Sequence, residues 1–187
     1  MEISSAQLPP QGNNDTKLGA ALPRRTRKSA SERRAAVRGR LWPGVSESEL
    51  WIRTQRTGFT TVPRVLPIVG RIFDAHSDKG FPLFSTYLAL WCWVFDEAFV
   101  EIRNPKQMAY ESGFSGPRAV SLWKGRMERL DRLGAIRSHA GLAGDHQYVL
   151  LINPFVCVER LYENKQKDVA YNALLSRAAE VGADDIL

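Results

Sequence analysis

The spacing of apolar residues predicts two helices in the middle of the chain. The first has apolar positions three or four residues apart, at Leu66, Val69, Ile72 and Phe73. Thr60 and Thr61 precede it as candidate N-caps, and Pro67 suits its first turn. The second helix, about Pro82 to Phe95, is apolar nearly all round, which predicts a central buried helix.

Capping signals divide the next stretch into a short strand and two helices. Residues 99–103 alternate in the manner of a strand. Asn104 followed by Pro105 predicts a helix start, and Gly113 predicts its end. A longer helix, 116–133, follows with Ser115 as its expected N-cap and Gly134 as its expected stop.

A β-hairpin and a terminal helix complete the predicted order. Two short strands, 135–138 and 147–152, are joined by a polar loop that contains glycine. Together these residues, 135–152, form one hairpin. A last helix is predicted over 155–181.

The predicted helix 116–133 has two chemically different faces. At 100° per residue, one face collects the apolar side chains Ala119, Val120, Trp123, Met127 and Leu130. The other face carries Arg118, Ser121, Gly125, Glu128, Arg129 and Arg132, with Leu122 and Lys124 at its sides. Residues 115–139 hold six basic and two acidic residues, so this region is locally positive by four charges.

The order of these elements from Phe81 to Ile152 resembles the winged helix-turn-helix family. Asn104–Gly113 corresponds to the first helix of the pair, and Phe114–Ser115 to its turn. Gly116–Ile136 corresponds to the second helix and its entry into the wing. The resemblance covers about 70 residues. It implies a mainly α fold with a small antiparallel β wing and extra N- and C-terminal helices.

The resemblance also implies which residues contact DNA. The N-terminal half of the second helix reads base edges, and the rest meets the backbone. Arg118 and Ser121 are the expected base contacts, and Leu122 is a candidate for a thymine methyl group. The expected phosphate contacts are Lys124, Arg129 and the helix start at Ser115.

Gly125 and the wing each have two interpretations. Glycine within a helix costs about 1 kcal/mol relative to alanine. Gly125 either allows the backbone to approach DNA, or it is a surface glycine or one that makes room for a neighbouring helix. The wing residues Arg137, Ser138, His139 and His146 either reach the adjacent minor groove or backbone, or belong to a plain hairpin.

Charge is concentrated near the N-terminus. The chain has a net charge of +6, whereas residues 41–187 hold 17 basic and 17 acidic residues. We expect residues 1–40 to form a disordered tail. A domain is predicted at 41–187, with a core motif at about 81–154. The basic residues of segment 24–40 are Arg24, Arg25, Arg27, Lys28, Arg33, Arg34, Arg38 and Arg40. The segment either follows DNA phosphates or serves as a non-specific arm.

The sequence gives little support for metal binding or for catalysis. Cys92 and Cys157 read as free buried thiols, without zinc-ligand spacing. The acidic and histidine residues near 74–78 and 96–101 suit helix ends better than metal binding or acid–base catalysis. The chain has no secretory signal or membrane-spanning run, which favours a cytoplasmic, nucleoid-associated protein. We therefore expect no enzyme activity, no cofactor and no metal.

The function predicted from the sequence is sequence-specific binding of double-stranded DNA by a repressor-like transcriptional regulator. Two alternatives stay open: a replication initiator or accessory factor of a plasmid or mobile element, and a winged-helix module that binds another protein. Spare apolar residues in the last helix suggest a homodimer that reads two half-sites. No membrane partner is expected.

Overall fold

The computed structural model describes residues 29–183. Predictions for Arg24, Arg25, Arg27 and Lys28 therefore lie outside the described residues. The chain divides into two compact units, Met1–Thr54 and Gln55–Leu187. The predicted domain start at residue 41 falls inside the first unit.

The first unit contains a basic helix. Helix α1, Ala30–Leu41, begins with a capping box in which Ser29 and Glu32 each bind the other's backbone N–H. None of the described residues Ala30–Leu41 is buried. A salt bridge of 3.5 Å joins Arg38 to Glu47, at the start of a short 3₁₀ turn.

The second unit begins with two packed helices, α2 at Leu66–Ala75 and α3 at Phe84–Trp93. The prediction that Thr60 or Thr61 caps α2 is wrong, because the N-cap is Val65. The carboxylate of Asp74, near the end of α2, accepts hydrogen bonds from the Leu83 and Phe84 backbone N–H groups at 2.5 and 3.0 Å. This carboxylate caps the start of α3, so its role is structural.

Helix α3 is buried on one side and open on the other. Tyr87 and Leu90 have no exposed surface, whereas Phe95, just after the helix, is 82% exposed. Cys92 is exposed as well, so the prediction that both thiols are buried is wrong for this one. An all-apolar sequence could not show which side would be covered.

A three-stranded antiparallel sheet follows the order β1–β3–β2. Strand β1 is Phe99–Glu101, β2 is Ile136–Gly141 and β3 is Gly144–Leu151. The hairpin strands are longer than predicted, and they leave only two residues in the turn. Two further helices, α4 at Pro105–Glu111 and α5 at Ala119–Leu133, connect β1 to β2.

The predicted terminal helix 155–181 is two helices. Helix α6 is Pro154–Tyr162, and α7 is Val169–Val181. Asp168 caps α7 by accepting the Tyr171 backbone N–H at 2.9 Å, and it also accepts the Tyr162 hydroxyl at 2.9 Å. The break therefore arises from a tertiary contact as well as a local cap. No helix among residues 29–183 is long and apolar enough to span a membrane.

Candidate nucleic-acid interface

The turn between α4 and α5 is built from local capping signals. The Asn104 side chain accepts the backbone N–H groups of Lys106 and Gln107 at 3.1 and 3.2 Å, as predicted for an N-cap. After α4, Gly113 adopts a positive φ of 91°, a conformation that glycine takes without strain. The Phe114 N–H then bonds the Ala109 carbonyl at 2.9 Å, which closes the turn.

Helix α5 starts later than predicted. Its N-cap is Arg118, and no described side chain caps it. Gly116 has a φ of 80°, and its carbonyl accepts the Ala119 N–H at 3.1 Å. A turn therefore comes before the helix. The prediction that Ser115 caps α5 is wrong, and Ser115 lies exposed ahead of that turn.

The predicted two-faced character of α5 is present in the structure. Trp123, Met127 and Leu130 are buried to 1% exposure or less. On the outer side, Arg118 and Ser121 are exposed, and Leu122 is 40% exposed. The three expected base contacts therefore lie at the surface of the first part of α5.

Arg126 is a buried residue that the sequence analysis missed. It is only 7% exposed, and its Nε–H donates to the Pro82 carbonyl at 3.0 Å. Its guanidinium lies 4.6 Å from the Phe81 ring centre and 5.4 Å from that of Phe114. Burial lowers the pKa of this guanidinium, and the charge of Arg129 adds to the effect. The sequence signal for its burial is its position three residues after Trp123, on the apolar stripe of the helix.

Two of the expected phosphate contacts already have partners within the protein. Lys124 Nζ lies 2.8 Å from a carboxylate oxygen of Asp145 on β3. Arg129 Nε lies 2.8 Å from a carboxylate oxygen of Asp78, and its guanidinium lies 4.2 Å from the Phe81 ring centre. The Arg129 side chain is only 21% exposed. Lys124 lowers the pKa of the Asp145 carboxyl, first through the hydrogen bond and then through its charge.

Gly125 has a contact within its own helix. A Cβ atom at this position would lie 3.3 Å from Nη1 of Arg129, which donates to the Gly125 carbonyl at 2.8 Å. The missing side chain thus leaves room for Arg129. The contact lies within α5, and no atom of a neighbouring helix in the described residues comes within 4 Å of that Cβ position.

A polar cluster fastens the hairpin to α5. One Asp131 oxygen accepts both the Ser138 backbone N–H at 2.9 Å and the Ser138 hydroxyl at 2.6 Å. The His146 Nδ1–H donates to the same hydroxyl oxygen at 2.9 Å, and the His146 ring packs edge-on against Trp123. Since His146 is buried, desolvation lowers its pKa. His146 and Ser138 therefore serve the hairpin–helix joint and do not project towards a ligand.

An irregularity in the hairpin explains why His146 faces inward. The pair His139–Tyr148 is followed by Gly141–Gly144, so β3 advances four residues while β2 advances two. Gln147 faces inward by the ordinary alternation that it shares with Val149 and Leu151, and its Oε1 accepts the Ala143 N–H at 2.8 Å.

The outer residues of the hairpin are exposed to solvent. His139 is exposed, with Nδ1 bonded to the Ala140 carbonyl at 2.8 Å. Arg137 is 54% exposed at its side chain and lies 3.7 Å from an oxygen of Asp131. Leu142 is fully exposed at the tip. Both predicted hairpin contacts, Arg137 and His139, are thus accessible.

Carboxylates compensate part of the local positive charge of this region. Lys124, Arg129 and Arg137 each have an acidic partner, whereas Arg118 has none within residues 29–183. Sequence counting alone could not detect this, because two of those partners lie far away along the chain. Within the same residues, no three His, Cys, Asp or Glu side chains cluster in a way that could hold a metal ion.

Comparisons with protein-family models, with curated proteins and with solved structures find no match for this chain.

Proposed function

We propose that this protein binds double-stranded DNA in a sequence-specific way and acts as a repressor-like transcriptional regulator. The observation that carries the proposal is the arrangement α3–β1–α4–turn–α5–β2–β3, with the first part of α5 exposed. A helix-turn-helix places its second helix in the major groove and uses the N-terminal residues of that helix to contact bases. The hairpin β2–β3, attached to the end of α5, then serves as the wing.

Arg118, Ser121 and Leu122 are the residues proposed to read bases. Arg118 is exposed and has no carboxylate partner within residues 29–183, so its guanidinium is available. Arginine recognises O6 and N7 of guanine with two hydrogen bonds. The Ser121 hydroxyl suits either a donor or an acceptor on a base edge, and Leu122 suits a thymine methyl group.

In this proposal, Lys124 and Arg129 hold α5 in position and do not contact DNA phosphates. The Lys124–Asp145 pair links α5 to β3, so it helps to set the angle between helix and wing. Arg129 is held by Asp78 and Phe81, so it helps to fix α5 against the loop before α3. Arg137 and His139 remain the wing residues proposed to contact the neighbouring backbone or minor groove.

In this proposal, helix α1 supplies the non-specific component of DNA binding. It carries four exposed arginines, Arg33, Arg34, Arg38 and Arg40, against one acidic residue. Each phosphate neutralised by such a residue contributes a slope of about −0.9 to the dependence of log affinity on log salt concentration. The basic residues at 24–28 are proposed to extend this contact.

A protein-interaction module is the second candidate function. The observation that favours it is the compensation of Lys124, Arg129 and Arg137 by carboxylates, which leaves the surface of α5 less positive than its sequence suggests. Tyr110 on α4 is also 75% exposed. Exposed aromatic residues are common in protein interfaces.

Selection from a random DNA pool tests the proposal. The full-length protein and a chain starting at Leu41, which lacks the basic tail and nearly all of α1, are selected at two salt concentrations. We expect both to enrich one motif, with a steeper salt dependence for the full chain. A symmetric motif would indicate a dimer. If only the full chain binds, and without selectivity, α1 and the tail supply the affinity and the protein-interaction module is favoured.

The variant Arg118→Ala/Ser121→Ala tests the role of α5. Loss of a base contact costs about 1–3 kcal/mol and relaxes specificity at that base pair. Arg64→Ala, at an exposed position on the approach to α2, is the matched control and should bind normally. Arg129 is left intact because its contacts hold α5 in place. DNA reading through α5 is excluded if the double variant folds normally and binds the selected site as before.

A further inference from the structure

A cationic pocket lies beside the C-terminal part of α5, beyond the residues proposed to read bases. It has a volume of about 360 Å³ and opens between α5, the loop after α2 and the end of α6. Arg129 and Arg132 contribute from α5, and Lys165 contributes from the segment after α6. His76 and Asp78 contribute from the end of α2 and the loop after it.

The charges in this pocket are not balanced. Three cationic side chains face a single carboxylate, that of Asp78, which already pairs with Arg129 at 2.8 Å. Arg132 and Lys165 have no acidic partner within residues 29–183. Like charges that share a pocket repel each other, so an anion bound between them would relieve an unfavourable interaction.

One of the cationic groups is held in place before any ligand arrives. Arg129 donates from Nε to Asp78 and from Nη1 to the Gly125 carbonyl, both at 2.8 Å. Its guanidinium also lies over the Phe81 ring. Groups that are already ordered lose less conformational entropy on binding.

Part of the pocket lining is apolar. Leu83 is fully buried, and Leu133 and Leu161 are partly buried beside it. Apolar walls lower the local dielectric constant and strengthen the attraction between charges. They also offer a surface for the carbon portion of a ligand. A volume of about 360 Å³ lies at the lower end of the range for small-molecule sites.

We propose that this pocket binds a small organic phosphate, with Arg129, Arg132 and Lys165 around the phosphate group and the leucines against its carbon portion. Arginine and lysine are the side chains that proteins use for phosphate recognition. The proposal does not depend on DNA binding. DNA phosphates have the same chemistry, so the experiment separates the two sources.

Binding of phenyl phosphate to the full-length protein is the first measurement, by calorimetry and thermal unfolding at constant ionic strength. Phenol serves as the uncharged control ligand. We expect phenyl phosphate to bind and to raise the melting temperature, and phenol to do neither. The variant Arg132→Gln/Lys165→Gln should weaken binding by about tenfold or more, because it removes two charged hydrogen-bond donors.

Two further variants sharpen the test. Asp78→Asn should tighten binding, because it removes the negative charge from the pocket while the amide oxygen can still accept the Arg129 hydrogen bond. Arg64→Gln/Arg160→Gln removes the same charge at exposed positions outside the pocket and should leave binding unchanged.

The proposal is overturned if phenyl phosphate does not bind the unmodified protein, or if both charge-removing pairs weaken binding equally. If phenyl phosphate fails to bind while Arg132→Gln/Lys165→Gln reduces the salt dependence of DNA binding, the pocket serves a DNA phosphate and the small-ligand assignment is wrong. Selection of a DNA motif by the unmodified protein is measured separately, so failure here leaves the proposed function intact.

Discussion

Replacing Gly70 with alanine should destabilise the second unit, although alanine is the better helix former. Gly70 lies inside α2 and faces the ring of Phe84 on α3. A Cβ atom there would lie 2.1 Å from Cδ2 and 2.5 Å from Cγ of Phe84. Carbon atoms in contact prefer a separation of 3.5–4.0 Å, so the Phe84 ring or one helix would have to move by about 1.5 Å.

The two helices cannot easily separate to relieve this overlap. The Phe73 and Tyr87 rings pack edge to face at 5.1 Å between centres, and the Asp74 carboxylate caps the start of α3. Overpacking of this kind costs about 1–3 kcal/mol. The gain in helix propensity from glycine to alanine is about 1 kcal/mol. We therefore expect a net loss of up to about 2 kcal/mol.

Urea and thermal unfolding of the full-length protein measure this effect. A loss of up to about 2 kcal/mol corresponds to a melting temperature lower by up to about 8 °C for a protein of this size. In a Phe84→Ala background the obstructing ring is absent, so the same Gly70→Ala change should become stabilising. The reasoning is refuted if Gly70→Ala stabilises the unmodified protein or stays destabilising after the ring is removed.

Three further predictions concern the hairpin joint and the thiols. Asp131→Ala removes the acceptor of two hydrogen bonds from the hairpin and should cost about 1–3 kcal/mol in urea unfolding, because a partly buried N–H loses its partner. Burial holds the pKa of His146 in the folded protein below its value of about 6.5 in the unfolded chain. As the pH drops from about 7, the unfolded chain therefore binds more protons than the folded protein, and the free energy of unfolding should fall. The melting temperature should fall with pH across this range in the control variant His139→Gln, whereas His146→Gln should remove this pH dependence. An unchanged pH dependence in His146→Gln would contradict the role given to His146. Cys92 is exposed, whereas Cys157 is buried and burial raises its pKa to about 11. A thiol reagent at pH 8 should therefore modify Cys92 at once and Cys157 only when the protein unfolds. Rapid modification of both thiols would be inconsistent with this fold.

The sequence by itself determined the helix–turn–helix segment because its signals are local. Asn104 and Pro105 start α4, and Gly113 and Gly134 end α4 and α5, each through backbone geometry or hydrogen bonds within a few residues. The apolar stripe of α5 followed from helical periodicity alone. Such features depend on neighbours one or two helical turns away, which the sequence displays directly.

Only the tertiary structure decided which charged side chains are available to a ligand. Lys124, Arg126 and Arg129 look alike in the sequence, yet they are bound to groups 21, 44 and 51 residues away along the chain. Arg118 has no such partner within residues 29–183. A side chain's exposure and charge compensation depend on what the folded chain brings against it, and no local pattern encodes that partner.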